Sequence, residues 1–238
     1  MRTPFLLPIL TLSLVAQAPL TERVQAAHRL RVDALRQLQG ELALETHEAK
    51  AYFEGLVAFG IVAQTKDKDP KGTEALLDRA LAGLKGRKDA ESQALQASLL
   101  GLKIGFQPGS AMSLAPKAQY LFGEARQLAP ASPRVLLLQG IHTLHTPEFF
   151  GGGAKAALPL LVGAVKAAEA EVAPTDPWAP RWGKAEAYAW LASAEVDLGL
   201  EKEAKAHLAQ ALALDPAYGY ARFVVAPRLG AAAPEAAK

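Results

Sequence analysis

The sequence predicts an all-α fold, a solenoid of stacked helix pairs, and three observations carry that expectation. Tyr188, Leu191, Ala192, Leu198, Gly199, Ala204, Leu208, Ala211 and Pro216 stand where a helix-turn-helix unit constrains its residues, small where two helices must approach and large between them. The second-helix pattern returns at Ala118, Phe122, Ala125 and Pro130, and again at Ala157, Leu161 and Ala164. The chain is 50% hydrophobic, enough for a continuous core along a row of repeats.

In chain order, Arg2, the apolar run Phe5 to Val15 and the small-residue stretch Ala16-Gln17-Ala18 read as an export signal, residues 1–18. Thr3 to Ala18 is shorter than the roughly 20 residues of a membrane-crossing helix. Cleavage after Ala18 is the expectation. Pro19 works against it, since proline restricts the backbone on both sides of the cut, and retention as a short membrane anchor is the rival outcome. The predicted location is the periplasm or the exterior, with no membrane insertion once the signal is removed. The chain has no cysteine, which excludes a disulfide framework, a thiolate metal site and the lipid-accepting cysteine of a bacterial lipoprotein.

Residues 19–47 are expected to form an N-terminal capping helix, with Thr21 as its cap, Val24, Ala27, Leu30, Val32, Leu35 and Leu38 on its apolar face, and an interruption near Gly40. Such a helix would cover the open end of the solenoid. About four helix pairs follow over residues 48–216. The first sets Tyr52, Leu56 and Phe59 against Leu77 and Ala80; the second opens with Ala97, Leu100, Gly101 and Ile104, and the third with Leu136, Gln139, Gly140 and Thr143. In those two units the helices stand about five residues further apart than usual, and Gln107 to Ala115 and Thr146 to Gly153 are expected to be loops. Pro116 is expected at a helix start, and Pro159 at a late start or a bend. Residues 217–229 are expected to cap the last pair through Tyr218, Tyr220, Phe223 and Val224, and 230–238 to be disordered.

The formal charge is +2 with both signs interleaved, so no basic face for nucleic acid is expected. His142 and His145 with Glu148 could in principle meet a metal, yet no third fixed ligand is identifiable, and they read as ordinary helix-end residues. Phe149-Phe150-Gly151-Gly152-Gly153 has no phosphate-loop spacing and reads as a turn between helices. No nucleophile, base and orienting group can be brought together, so neither catalysis nor a cofactor is expected. Trp178 and Trp182, set among Pro174, Pro177 and Pro180, are candidate aromatic contacts for a ligand, or else cover the joint between the third and fourth pairs.

The spacing in Ala185 to Pro216 resembles the tetratricopeptide repeat, whose period is about 34 residues, and Pro133 to Gly153 is similar to a stretch of exported bacterial proteins of that family. The resemblance implies a right-handed α-solenoid whose first helices line a concave groove. It places Leu95, Ser98 and Leu102, then Arg134, Leu137 and Ile141, then Glu186, Ala189 and Ser193 in that groove. Relatives that capture charged peptide ends carry several Lys, Arg and Asn residues there, whereas here only Arg134 fits, leaving an apolar surface suited to an amphipathic helix, a greasy ligand or one of the chain's own terminal helices. The implied function is a non-catalytic periplasmic module that binds a protein or peptide partner. The alternative is a small-molecule carrier associated with a solute transporter, against which stands the missing lipid-accepting cysteine.

Overall fold

Helix caps and apolar stripes of this kind do produce helices throughout. The computed structural model describes residues 18–65 and 69–230, and no strand occurs among them. Most of the expected export signal and residues 231–238 of the tail lie outside the described residues. The elements are α1 (Leu20–Gln25), a 3-10 turn (Ala27–Arg29), α2 (Val32–Ala43), α3 (Lys50–Thr65), α4 (Pro70–Leu84), α5 (Ala90–Phe106), α6 (Ala111–Leu128), α7 (Pro133–His145), α8 (Ala154–Ala170), α9 (Lys184–Asp197), α10 (Glu201–Leu214), and a π-helical turn (Ala221–Val225) running into α11 (Ala226–Arg228). Several starts are fixed locally. Asp69 accepts from the Gly72 amide with Pro70 just inside α4, Asp89 accepts from the Ser92 amide, and Ser132 accepts from the Val135 amide with Pro133 just inside α7.

The helices pack as the pairs α3/α4, α5/α6, α7/α8 and α9/α10. Inner helices α3, α5, α7 and α9 touch in a row, and each outer helix also packs on the inner helix that follows it, which is the architecture of an α-solenoid. One core runs through all pairs, from Phe53, Leu56 and Leu77 through Leu95, Phe122, Leu137 and Leu161 to Leu191 and Leu208. No helix among the described residues is long and apolar enough to cross a membrane.

Four local expectations are corrected. The N-terminal segment is two helices, because the chain breaks at the extended Leu30 and Arg31 while α2 runs through Gly40, and Thr21 does not cap α1, whose N-cap is Pro19. Gln107 to Ala115 is only partly loop: a 3-10 turn at Pro108–Ser110 leads straight into α6, which contains Pro116. Pro159 likewise lies inside α8. Both prolines are solvent-exposed and early in their helices, where water can satisfy the carbonyl that the missing amide leaves unbonded. At the C-terminus Tyr218, Ala221, Val225 and Ala226 form the buried stripe, and Phe223 and Val224 face solvent.

Candidate binding site on the inner helices

The N-terminal ends of α3, α7 and α9 lie against stretches of chain distant in sequence. The guanidinium of Arg134, on the first turn of α7, bonds Glu91 on α5 at 2.6 Å, pairs with Glu171 at the end of α8, and donates to the Trp182 carbonyl at 3.1 Å. Burial pulls the Arg134 pKa down, but Glu171 and Glu91 outweigh it and hold the charge above its ordinary range. Burial raises the Glu91 carboxyl in spite of Arg134. Trp182 is itself buried, and its indole N–H donates to the Tyr52 hydroxyl on α3 at 2.9 Å.

Trp178 stacks on His47 with centroids 4.9 Å apart and lies 5.9 Å from Phe53. Thus the proline-bearing segment 171–183, which connects the third pair to the fourth, reaches back onto the first. The N-terminal segment crosses beside it. Gln25 donates to the Ala179 carbonyl at 3.1 Å and accepts from the Arg181 amide at 2.9 Å, while Arg29 bonds Asp215 at 2.9 Å and sits 3.3 Å from Glu186. Burial holds the Glu186 carboxyl above its ordinary pKa, although Arg29 pulls it down.

These crossings correct the groove expectation. Leu95, Leu137 and Ala189 are fully buried, and Ser98, Arg134, Ile141, Glu186 and Ser193 nearly so; only Leu102 is half-buried. Leu95 packs toward Gly55 of α3, segment 171–183 lies over Arg134 and Leu137, and Arg29 covers Glu186. Trp178 and Trp182 pack within the chain. No open groove runs along these positions.

Further along the same helices the inner face is aromatic and partly open. Trp190 on α9 stacks on Tyr220 with centroids 4.0 Å apart and planes 23° apart, and His145 at the end of α7 meets Trp190 edge-on at 5.5 Å. Trp190 and Tyr220 are half-buried, whereas His145 is exposed. Tyr220 is held in place, since its hydroxyl bonds Ser193 at 2.9 Å and Arg228 bonds the same Ser193 oxygen at 3.1 Å while pairing with Asp197. Burial pushes the Tyr220 phenol up to about 12, so it stays protonated near neutrality. His142, one turn before His145, packs on Phe122 at 5.2 Å. Burial first, and His145 second, lower its pKa, which leaves a neutral imidazole at pH 7.

The two histidines therefore face different neighbours and do not converge with Glu148, and among the described residues no three His, Cys, Asp or Glu side chains are placed to hold a metal ion. Trp190 and Tyr220 are not among the positions the resemblance assigns. Their signal is positional: Trp190 lies one turn after Glu186 and just before Ser193, on the same side of α9.

No family model and no curated protein matches the chain. Among solved structures it is similar to the HusA haemophore from Porphyromonas gingivalis, at 24% identity and a TM-score of 0.53, over 75% of this chain and 92% of that one. That likeness is one of fold, a row of paired helices.

Proposed function

We propose that this protein is an exported, non-catalytic carrier that holds a flat apolar molecule against the Trp190–Tyr220 wall. The stacked pair carries the reading. The pair, held by its own stacking and by the Ser193 hydrogen bond to Tyr220, offers a rigid apolar surface at little entropic cost, and planar ligands gain most from such a surface. Segments 20–29 and 171–183 occupy the space an extended peptide would need, which favours a compact cargo over the peptide reading. Fold likeness to a haemophore makes a porphyrin the first cargo to test. The exposed His145 imidazole beside the wall has the chemistry to meet haem iron.

Titration of the mature protein with haemin, followed by the Soret band, tests this. A saturable shift at one equivalent is expected, with W190A/Y220A weakening binding at least tenfold. No saturable change, or an unchanged affinity in the double variant, would sink the reading. A protein partner is the second reading, favoured by Phe149 and Phe150, which lie 91% and 68% exposed on the loop after His145. Recovery of one stoichiometric partner by the native protein but not by F149S/F150S would support it.

A further inference from the structure

The outer side of the solenoid carries a second cavity that the carrier reading does not use. Helices α4 and α6 barely meet, and the gap between them is a cleft of about 650 Å³ with α5 as its floor. Its walls are apolar: Leu81 from α4, Leu100 from α5, and Pro116 and Leu121 from α6. The volume lies within the roughly 300–1,000 Å³ of small-molecule sites. Lys85, just after the end of α4, and Lys117 from α6 line the same cleft. Both are exposed, and among the described residues neither joins an ion pair, unlike Lys50, Lys103 and Lys205. An anion lodged in the cleft has two unpaired cations within the same lining to meet it.

We propose that this cleft binds an amphiphilic anion, an aliphatic chain ending in a carboxylate, with the chain on Leu81, Leu100 and Leu121 and the carboxylate between Lys85 and Lys117. The charge pattern selects this class: the two lysines exclude a cationic amphiphile, and the apolar floor gives a small polar anion nothing to bury.

Calorimetric titration of the mature protein with dodecanoate below its micelle concentration, and with dodecyltrimethylammonium as the same chain with opposite charge, tests the proposal. One saturable dodecanoate site is expected, at least tenfold tighter than the cation. Shortening to decanoate should weaken it roughly fifteenfold through two lost methylenes. K85Q/K117Q should lower dodecanoate affinity about tenfold and erase the preference between the two amphiphiles, while haemin titration of that variant stays as in the native protein. Equal binding of anion and cation overturns the proposal, as does unchanged affinity in K85Q/K117Q. Loss of dodecanoate binding in W190A/Y220A would move the amphiphile to the inner face and equally overturn it.

Discussion

The two ends of the inner helices differ: buried ion pairs lie beside the Tyr52, Phe53, Trp178 and Trp182 rings at the N-terminal ends, and a half-open aromatic cluster lies toward the C-terminal ends of α7 and α9. At their N-terminal ends Arg134, Glu91, Glu171, Arg29, Glu186 and Asp215 form ion pairs that draw in residues far apart in the chain, up to the 186 positions between Arg29 and Asp215. Toward their C-terminal ends the contacts are aromatic, made by Phe122, His142, His145, Trp190 and Tyr220, and part of that surface is open. The ionic end trades desolvation for a single arrangement of the crossing segments. The aromatic end gives up burial and keeps a rigid face free. Loss of a single ionic partner should therefore cost stability at the first end, while on the proposed reading loss of an aromatic ring should cost binding at the second, and substitutions should separate them.

Arg134→Ala should produce the largest effect. It leaves Glu91 and Glu171 facing each other without their cation, at a cost of about 3–5 kcal/mol in urea unfolding. The comparison is sharpened if R134M/E91Q/E171Q regains most of that loss, and it breaks if R134A lowers haemin affinity in protein that is still folded.

Arg29→Ala should cost about 2 kcal/mol at pH 7, because it strands the buried Glu186 carboxylate. Its pH dependence has a definite sign. The Glu186 pKa is already raised in the folded state, and removing Arg29, the main opposing charge, raises it further. A carboxyl with a raised folded pKa contributes stability that is intact below its unfolded value, 4.5, and lost as pH climbs through the folded one. The gap in melting temperature between R29A and the native protein should widen from pH 4 to pH 7, and E186Q in the R29A background should flatten it. A gap independent of pH would remove Glu186 from the account.

How far the sequence discloses these two ends differs for a physical reason. The pair α9/α10 is legible because Ala192, Ala204 and Ala211 set a close approach that helical spacing alone reveals. The family resemblance places Arg134, Leu137 and Glu186 facing inward without saying what lies over them. Their cover comes from segments distant in sequence, such as Trp182 reaching Tyr52 across 130 residues, and no local pattern encodes such a contact. Pro116 and Pro159 mislead for a related reason, since exposure decides whether a helix tolerates proline and exposure is a property of the fold.

A smaller effect probes the aromatic end from behind. A Cβ on Gly101 would lie 2.6 Å from Nδ1 of His142, so Gly101→Ala must displace that ring from its place beside Phe122. A cost of about 1 kcal/mol is expected. Because burial depresses the His142 pKa, moving the ring toward solvent should return it toward 6.5, a shift that NMR titration reads directly. No change in that pKa would mean that burial is not what holds it down.

The smallest stability effect should come from the most conspicuous apolar pair. Phe149 and Phe150 touch each other edge-on at 5.2 Å, on a loop that turns through Gly151 and Gly153 at φ of 82° and 87°. Because both rings already stand largely in water, F149S/F150S removes little buried area, and unfolding should change by less than about 0.5 kcal/mol. Gly153→Ala is the matching control, since it forces an unfavourable backbone angle at the start of α8 and places a Cβ 2.7 Å from Cγ of Glu148, for a loss of about 1–2 kcal/mol. If the two Phe substitutions cost as much as the glycine change, the rings support the loop and the second reading loses its surface. If only the glycine change costs stability, the loop holds the rings and the rings hold nothing within the chain, which leaves a partner as the group they serve.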